Sequence, residues 1–355
     1  MTVVKILGAG LSGLSAAINL AKVGYNVTVF EKRDDCGKRF HGDLQGLENW
    51  SSPLDVKEEL QTMNISFNFE CTPMQTMYLS DGTDKIHVES TRPIFYLVKR
   101  GPIENSLDQG LKQQALTAGV DIQFNTTIKP DDVDIIATGP SLHKITAAAK
   151  GIIFETDLEN MAVALVNNTI SYRGYAYLLI ANNYGCISTV SAYHAGDLNT
   201  YFKNTCDIFC RLFNTTIKNP KECGGVGSFT IKQRLSHKGT RITGEAAGIQ
   251  DFLWGFGMRY ALGSGYLAAK SIIEGKSYTK LFNERFSHTL KASIVNRFYA
   301  EKFDDYGKML INYAKTLKQG EHIKLLTEAY NLSLFKRFMY PYANLYLRIK
   351  HKKFI

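Results

Sequence analysis

The chain has 355 residues, 45% of them hydrophobic and 21% charged, and it holds neither a low-complexity run nor a fixed-period repeat, which excludes a disordered chain and a repeat array. Its 42 Lys and Arg against 33 Asp and Glu give a formal charge of +9, which favours anionic partners such as nucleotide cofactors, phosphorylated ligands or acidic lipid. No zinc-finger spacing or RNA-binding aromatic motif accompanies that charge, so no nucleic acid is expected as a partner.

The opening reads as strand, turn, helix and strand. Val3 to Leu7 is an apolar strand, Gly8-Ala9-Gly10-Leu11-Ser12-Gly13 follows as G-x-G-x-x-G, and an apolar helix runs from Leu14 to near Gly24. Three glycines break up the first 23 residues, which argues against a secretory leader. A second strand, Asn26 to Phe30, ends in Glu31. Gly8 allows the tight turn, Gly10 lets a pyrophosphate approach the backbone, and Gly13 brings the helix close to the sheet. Leu11 and Ser12 open the helix, where free N–H groups and the dipole favour phosphate. Glu31 is placed to accept from adenosine ribose hydroxyls and would repel a 2′-phosphate, an argument that Lys32 and Arg33 weaken. On these residues alone NAD and FAD are equal candidates. Arg39 is a candidate for the pyrophosphate and otherwise a surface charge. No chemistry attaches to the loop Phe40-His41-Gly42-Asp43, although His41 is conceivable as an acid.

Further on, Ser52 reads as a helix cap with Pro53 in the first turn. Alternating patterns predict strands over 65–70, 75–79, 85–89, 161–167, 171–180 and 185–193, an antiparallel sheet of the kind that shapes a substrate. Between them Phe95 to Arg100 reads as a strand leading into a helical run from about Pro102 to Gly119. Asp134 to Gly139 reads as a strand returning to the nucleotide fold, with Thr138 and Gly139 in its turn. Of the six cysteines, Cys206 and Cys210 are four apart on a predicted helix. None has a metal-site spacing, so free thiols are expected and no metal.

Late in the chain Thr240 to Gly248 forms a short strand entering a glycine-bounded turn, followed by Gly255-Phe256-Gly257-Met258 and a helix to about Ile272. Taken with the opening fingerprint and the Phe95–Arg100 stretch, this element resembles the FAD enzymes typified by geranylgeranyl reductases, within the superfamily of aromatic-ring flavin monooxygenases related to p-hydroxybenzoate hydroxylase. The resemblance covers roughly 1–48, 92–140 and 225–275. It implies FAD as cofactor, with Glu245 on the ribityl chain, Gly244, Gly255, Gly257 and Met258 beside the flavin, and Arg100 and Ile128 completing the set. Glu245 stands where those enzymes carry Asp, and Phe252-Leu253-Trp254 replaces their usual Pro. Gly174-Tyr175-Ala176-Tyr177 is similar to the reductases' stretch lining the isoprenoid cavity, so Tyr175, Tyr177 and Trp254 are the candidates closest to catalysis; core packing of the tyrosines is the equal alternative. Cys36-Gly37 is similar to the reductases' cysteine–glycine pair near the flavin, which makes Cys36 a further candidate for a redox or substrate-shielding role, with ordinary packing as the other reading.

The expected fold is therefore α/β: a Rossmann-type FAD-binding domain from discontinuous segments (1–48, 92–140, 225–275), an antiparallel substrate sheet (49–91, 141–224) and a C-terminal helical region (276–355). The expected function is reduction of carbon–carbon double bonds in an isoprenoid or other apolar small molecule, with NAD(P)H or ferredoxin reloading the flavin. A monooxygenase acting on an aromatic or polyketide-like substrate is the second reading, and a non-catalytic flavin-binding protein the third. No W-x-W-x-I-P stretch supports a halogenase. A cytoplasmic location is expected, with the basic, aromatic segment from Phe335 to Ile355 either lying on a membrane surface or docking on the protein's own core.

Overall fold

The computed structural model describes residues 2–141, 145–193, 197–303, 305–318 and 320–352. The nucleotide fold is a six-stranded sheet in the order Ser236–His237, Thr240–Ile242, Ile135–Ile136, Val3–Leu7, Asn26–Phe30 and Asp121–Gln123. Every pairing from Thr240–Ile242 to Asp121–Gln123 is parallel, and only Ser236–His237 runs antiparallel. Strands more than 100 residues apart in sequence are thus neighbours. Helix Leu11–Ala21 is buried over nearly its whole length, because the sheet covers one side and helix Met258–Ile273 the other. The two helices cross where a Cβ on Gly265 would stand 2.0 Å from the Ser12 carbonyl oxygen, so only glycine permits the approach.

A seven-stranded sheet stands beside this fold, in the order Lys218–Gly227, Ala147–Glu155, Tyr184–Ala192, Tyr175–Ala181, Met161–Leu165, Thr76–Ser80 and Lys85–Glu89. All its pairings are antiparallel except that of Met161–Leu165 with Thr76–Ser80. Helix Leu198–Phe213 packs on its outer face and carries Cys206 and Cys210, both free. A small antiparallel sheet of Leu44–Glu48, Phe95–Lys99 and Thr72–Met74 joins the two larger ones. Helices Tyr278–Lys302, Tyr306–Ala314, Glu321–Ala329 and Leu334–Lys350 complete the chain. Among the described residues no helix is long and apolar enough to cross a membrane.

Three local expectations are corrected. Residues 65–70 form no strand: the segment is extended and packs Ile65 and Phe69 inward, but the Gln114 side chain takes the place of a neighbouring strand, accepting from Ser66 N at 2.8 Å and donating to Ser66 O at 2.9 Å. Asp55, not Ser52, caps helix Val56–Thr62, accepting from Lys57 N at 2.8 Å. Arg92 holds the carbonyls of Ser52 and Pro53 outside that helix. The helix predicted from about Pro102 begins at Leu107, after the Ser106 cap.

Candidate functional site

One cavity of 790 Å³ runs between the nucleotide fold and the seven-stranded sheet, within the range of small-molecule and cofactor sites. One part of it is built from the opening fingerprint. Gly8, with φ of +104°, turns the chain out of its strand, and Gly13 would place a Cβ 2.0 Å from the Gly8 carbonyl oxygen. Gly10 differs: a Cβ built there meets no protein atom within 4 Å and projects into free space on the cavity wall. That is the cradle a pyrophosphate needs. Glu31 accepts from Ala9 N at 2.9 Å and from Arg33 N at 3.0 Å, so its carboxylate is fixed at the end of its strand, lining the cavity beside Lys32.

A second helix start opens onto the same space. Helix Met258–Ile273 begins at Gly257 without a side-chain cap or an acid in its first turn, and Gly255, Gly257 and Met258 line the cavity. Two helix N-termini, with their unpaired N–H groups and positive dipole ends, thus open on one cavity. Ala147, Ala148 and Ala149 pair with Gly227, Val226 and Gly225 across adjacent strands, and this stretch, small apart from Val226, lines the same cavity. A dinucleotide with phosphates at Gly10 and a planar ring beside Gly257 fits these residues, and the second helix start, which a nicotinamide site in a simple Rossmann fold does not need, favours FAD.

The other part is aromatic. Tyr175 and Tyr177 lie 6.0 Å apart, Trp254 meets Tyr175 edge-on at 5.7 Å, and Tyr306 lies 6.3 Å beyond Trp254. Trp50 and Phe256 meet edge-on at 4.8 Å on another wall, with Tyr330 beside them. Burial pushes the phenols of Tyr175 and Tyr177 up, so both keep their protons and act as apolar walls with hydroxyl donors rather than as bases. The loop replacing the expected Pro is organised by Asp251, which accepts from Trp254 N and donates its own N–H to Phe256 O. Asp251 is buried, and burial pushes its carboxyl up to about 6. Its role had no signature in the sequence, since a lone Asp in a loop reads as a turn residue.

The anticipated residues sort as follows. Gly8, Gly10, Leu11, Ser12, Glu31, Lys32, Arg39, Arg100, Thr138, Gly139, Glu245, Gly255, Gly257 and Met258 line the cavity, with Tyr175, Tyr177 and Trp254. Gly13 and Gly244 stand behind the wall, where Gly244 faces Ser12. Ile128 is half-buried and outside the lining. Arg100 is on the wall, but its guanidinium is committed to Asp108, with Nε to Oδ2 at 2.8 Å and Nη2 to Oδ1 at 3.1 Å, and it lies over the Phe40 ring. Arg39 pairs with Glu245 across the cleft and donates to Val226 O at 3.2 Å. The other Glu245 oxygen accepts from Ser228 N at 3.1 Å, so the longer acid spans to both partners. Cys36 is fully buried in the core, and burial and the Asp35 charge push its thiol up to about 12; a reactive thiolate is therefore unavailable, and packing is its role. His41 is exposed and off the cavity. The loop around it is structural: Tyr184 Oη donates to Gly42 O at 2.9 Å, and Asp43 accepts from His41 N and Gln45.

A family model described as an NAD(P)-binding Rossmann-like domain matches residues 6–45. Digeranylgeranylglycerophospholipid reductase of Methanosphaerula palustris is 27% identical over 184 residues, covering 48% of this chain and 46% of its own length. The match thus spans less than half of that relative's length. Among solved structures, a geranylgeranyl bacteriochlorophyll reductase-like protein from Thermoplasma acidophilum superposes with a TM-score of 0.67 at 17% identity, over 98% of this chain and 99% of that one. A flavin-dependent brominase superposes with a TM-score of 0.65 at 15% identity, over 98% of this chain and 100% of its own. The chain shares the fold of these two solved structures and resembles the geranylgeranyl reductases.

Proposed function

We propose that the protein is an FAD-dependent oxidoreductase that reduces carbon–carbon double bonds of an isoprenoid or other apolar substrate, with NAD(P)H or reduced ferredoxin as the electron source. The observation that carries this reading is the continuity of the glycine-walled nucleotide cleft with a chamber lined by Tyr175, Tyr177, Trp254, Phe256, Tyr306 and Tyr330. A chamber of that lining gains most by burying an apolar ligand. When bound, FAD supplies the hydride chemistry. The protein's own part is to hold the phosphates at the Gly10 backbone, to direct the Met258 helix start at the ring edge where reduction adds negative charge, and to exclude water with the aromatic walls.

The first test is whether the purified protein is yellow and releases FAD on denaturation; a colourless protein that cannot be loaded with FAD would overturn the reading at its base. The second is anaerobic incubation of the reduced protein with a geranylgeranyl lipid, followed by mass spectrometry. Gain of two hydrogens per double bond is expected. Gain of an oxygen atom in air, with no anaerobic product, would replace reduction by monooxygenation.

A further inference from the structure

The last helix, Leu334–Lys350, turns Ala343 and Leu347 inward against Phe298 and its neighbours. Its outer face carries Leu334, Phe335, Phe338, Tyr342, Leu345 and Ile349, all exposed, with Leu334 at 83%, Phe338 at 81% and Ile349 at 69%. At the helical repeat of about 100° per residue these six fall within an arc of about 100°, one continuous stripe opposite the docked face. Scattered surface apolars need no explanation, but a contiguous stripe of six marks an interaction surface.

Charge identifies the partner. No Asp or Glu follows Glu328, whereas Lys336, Arg337, Arg348, Lys350 and Lys352 do. Arg337 and Arg348 project along one flank of the stripe, and both are exposed. A second copy of the chain meeting this face with its own would bring like cations together, while an anionic lipid surface neutralises them. The stripe also adjoins the cavity. Phe335 stacks on Tyr299 at 6.3 Å, Tyr299 lines the cavity, and Met309 and Tyr313 both line it and are exposed.

We propose that the protein docks on anionic bilayers through the Leu334–Ile349 face, with the stripe at the acyl boundary, the cations at the headgroups, and the apolar rim of the cavity turned to the lipid. The test is co-sedimentation of the full, FAD-loaded chain with phosphatidylcholine vesicles, with and without phosphatidylglycerol. Pelleting is expected only with phosphatidylglycerol and is expected to fall with salt. Phe338→Ser with Ile349→Ser should lower partitioning by more than roughly 10-fold, and Arg337→Gln with Arg348→Gln by roughly fivefold per charge. Because these side chains are exposed, unchanged melting curves will show that the variants remain folded. Failure of the wild type to pellet, or unchanged pelleting of the Phe338/Ile349 variant, would overturn the proposal. So would a wild-type dimer that this variant dissociates without any vesicle binding, which would assign the face to a second copy. Sedimentation needs no turnover, so the result stands apart from the fate of the proposed reaction.

Discussion

Gly10→Ala separates ligand recognition from folding at a single methyl group. The Gly10 backbone has φ of −85° and ψ of −177°, which any L-residue adopts, and its Cβ would touch no protein atom within 4 Å. Loss of unfolded-state freedom favours Ala by ~0.4–1 kcal/mol, and the weaker N-cap propensity of Ala costs about as much. The melting temperature of the FAD-free protein should therefore stay within ~2 °C of wild type. The methyl group occupies the place that Gly10 leaves for the pyrophosphate, and an overpacking cost of ~1–3 kcal/mol corresponds to FAD binding roughly 5- to 140-fold weaker. Gly13→Ala should behave the opposite way. Its Cβ meets the Gly8 carbonyl at 2.0 Å, so the fold loses ~1–3 kcal/mol or more even without ligand. Thermal melts of FAD-free protein and titrations followed by flavin fluorescence measure both quantities. Unchanged FAD affinity in Gly10→Ala, or a melting temperature that falls as far as in Gly13→Ala, would refute the assignment of that open space to the phosphates.

Asp251, with its carboxyl raised to about 6 from an unfolded value near ~3.9, favours the protonated folded state. Stability from this group is present below pH ~4 and is lost as pH rises through about 6, by about 3 kcal/mol in all; Asp251→Asn should flatten that part of the profile in denaturant unfolding, and an unaltered slope would count against it. Glu301 has the opposite sign: burial pushes its carboxyl up, but the His351 and Lys350 hydrogen bonds and the Arg297 and His351 charges outweigh burial and hold it at about 2. Its contribution is present above pH ~4.5 and lost as pH falls toward 2, again about 3 kcal/mol, and Glu301→Gln should speed hydrogen exchange in the last helix, which His351 ties down. For the Arg39–Glu245 pair, Arg39→Ala should weaken FAD binding by about tenfold, or about 1.4 kcal/mol, because the Glu245 carboxylate is left on the cavity wall without its counter-ion. Glu245→Gln in the same chain should restore most of the loss, and purely additive effects in the double-mutant cycle would reduce the pair to ordinary surface charge.

The nucleotide fold was legible because its constraints are local. A tight turn, a close ligand approach and a helix start each require particular residues at fixed spacing, so Gly8, Gly10, Gly13 and Glu31 could be placed by number. The late Gly244–Met258 element was legible for the same reason. Ala147–Glu155 and Lys218–Gly227 were not. The first begins with small residues of weak strand preference. The second carries Lys, Pro and three glycines, a composition that reads as loop and is also what an edge strand uses. Its bulge passes over Asn219 and Pro220, leaving the missing Pro N–H outside the ladder. The fate of Arg100 was equally hidden: a strand-ending Arg beside a cofactor looks the same whether its fork meets phosphate or, as here, an Asp eight residues away. Residues 353–355 of the basic tail, including Lys353, lie outside the described residues.

The C-terminal helices are what make the cofactor cleft and the aromatic chamber one site. Sheet residues alone give the chamber a back wall of Tyr175, Tyr177 and Leu179 and leave its front open. That front is closed by Asn296 and Tyr299 of the long helix, by Tyr306, Met309 and Leu310 of the next, and by Leu325, Leu326 and Ala329 of the third. The closure is anchored at the far end of the chain, where His351 stacks on Tyr193 with ring centroids 3.6 Å apart and reaches Glu301 at 2.7 Å. Arg297 meets the same carboxylate at 2.7 Å, so one buried charge cluster ties the end of the long helix to the end of the last helix beside Tyr193. The lining of the aromatic chamber therefore includes residues from Asn296 to Ala329, well beyond the Gly244–Met258 element.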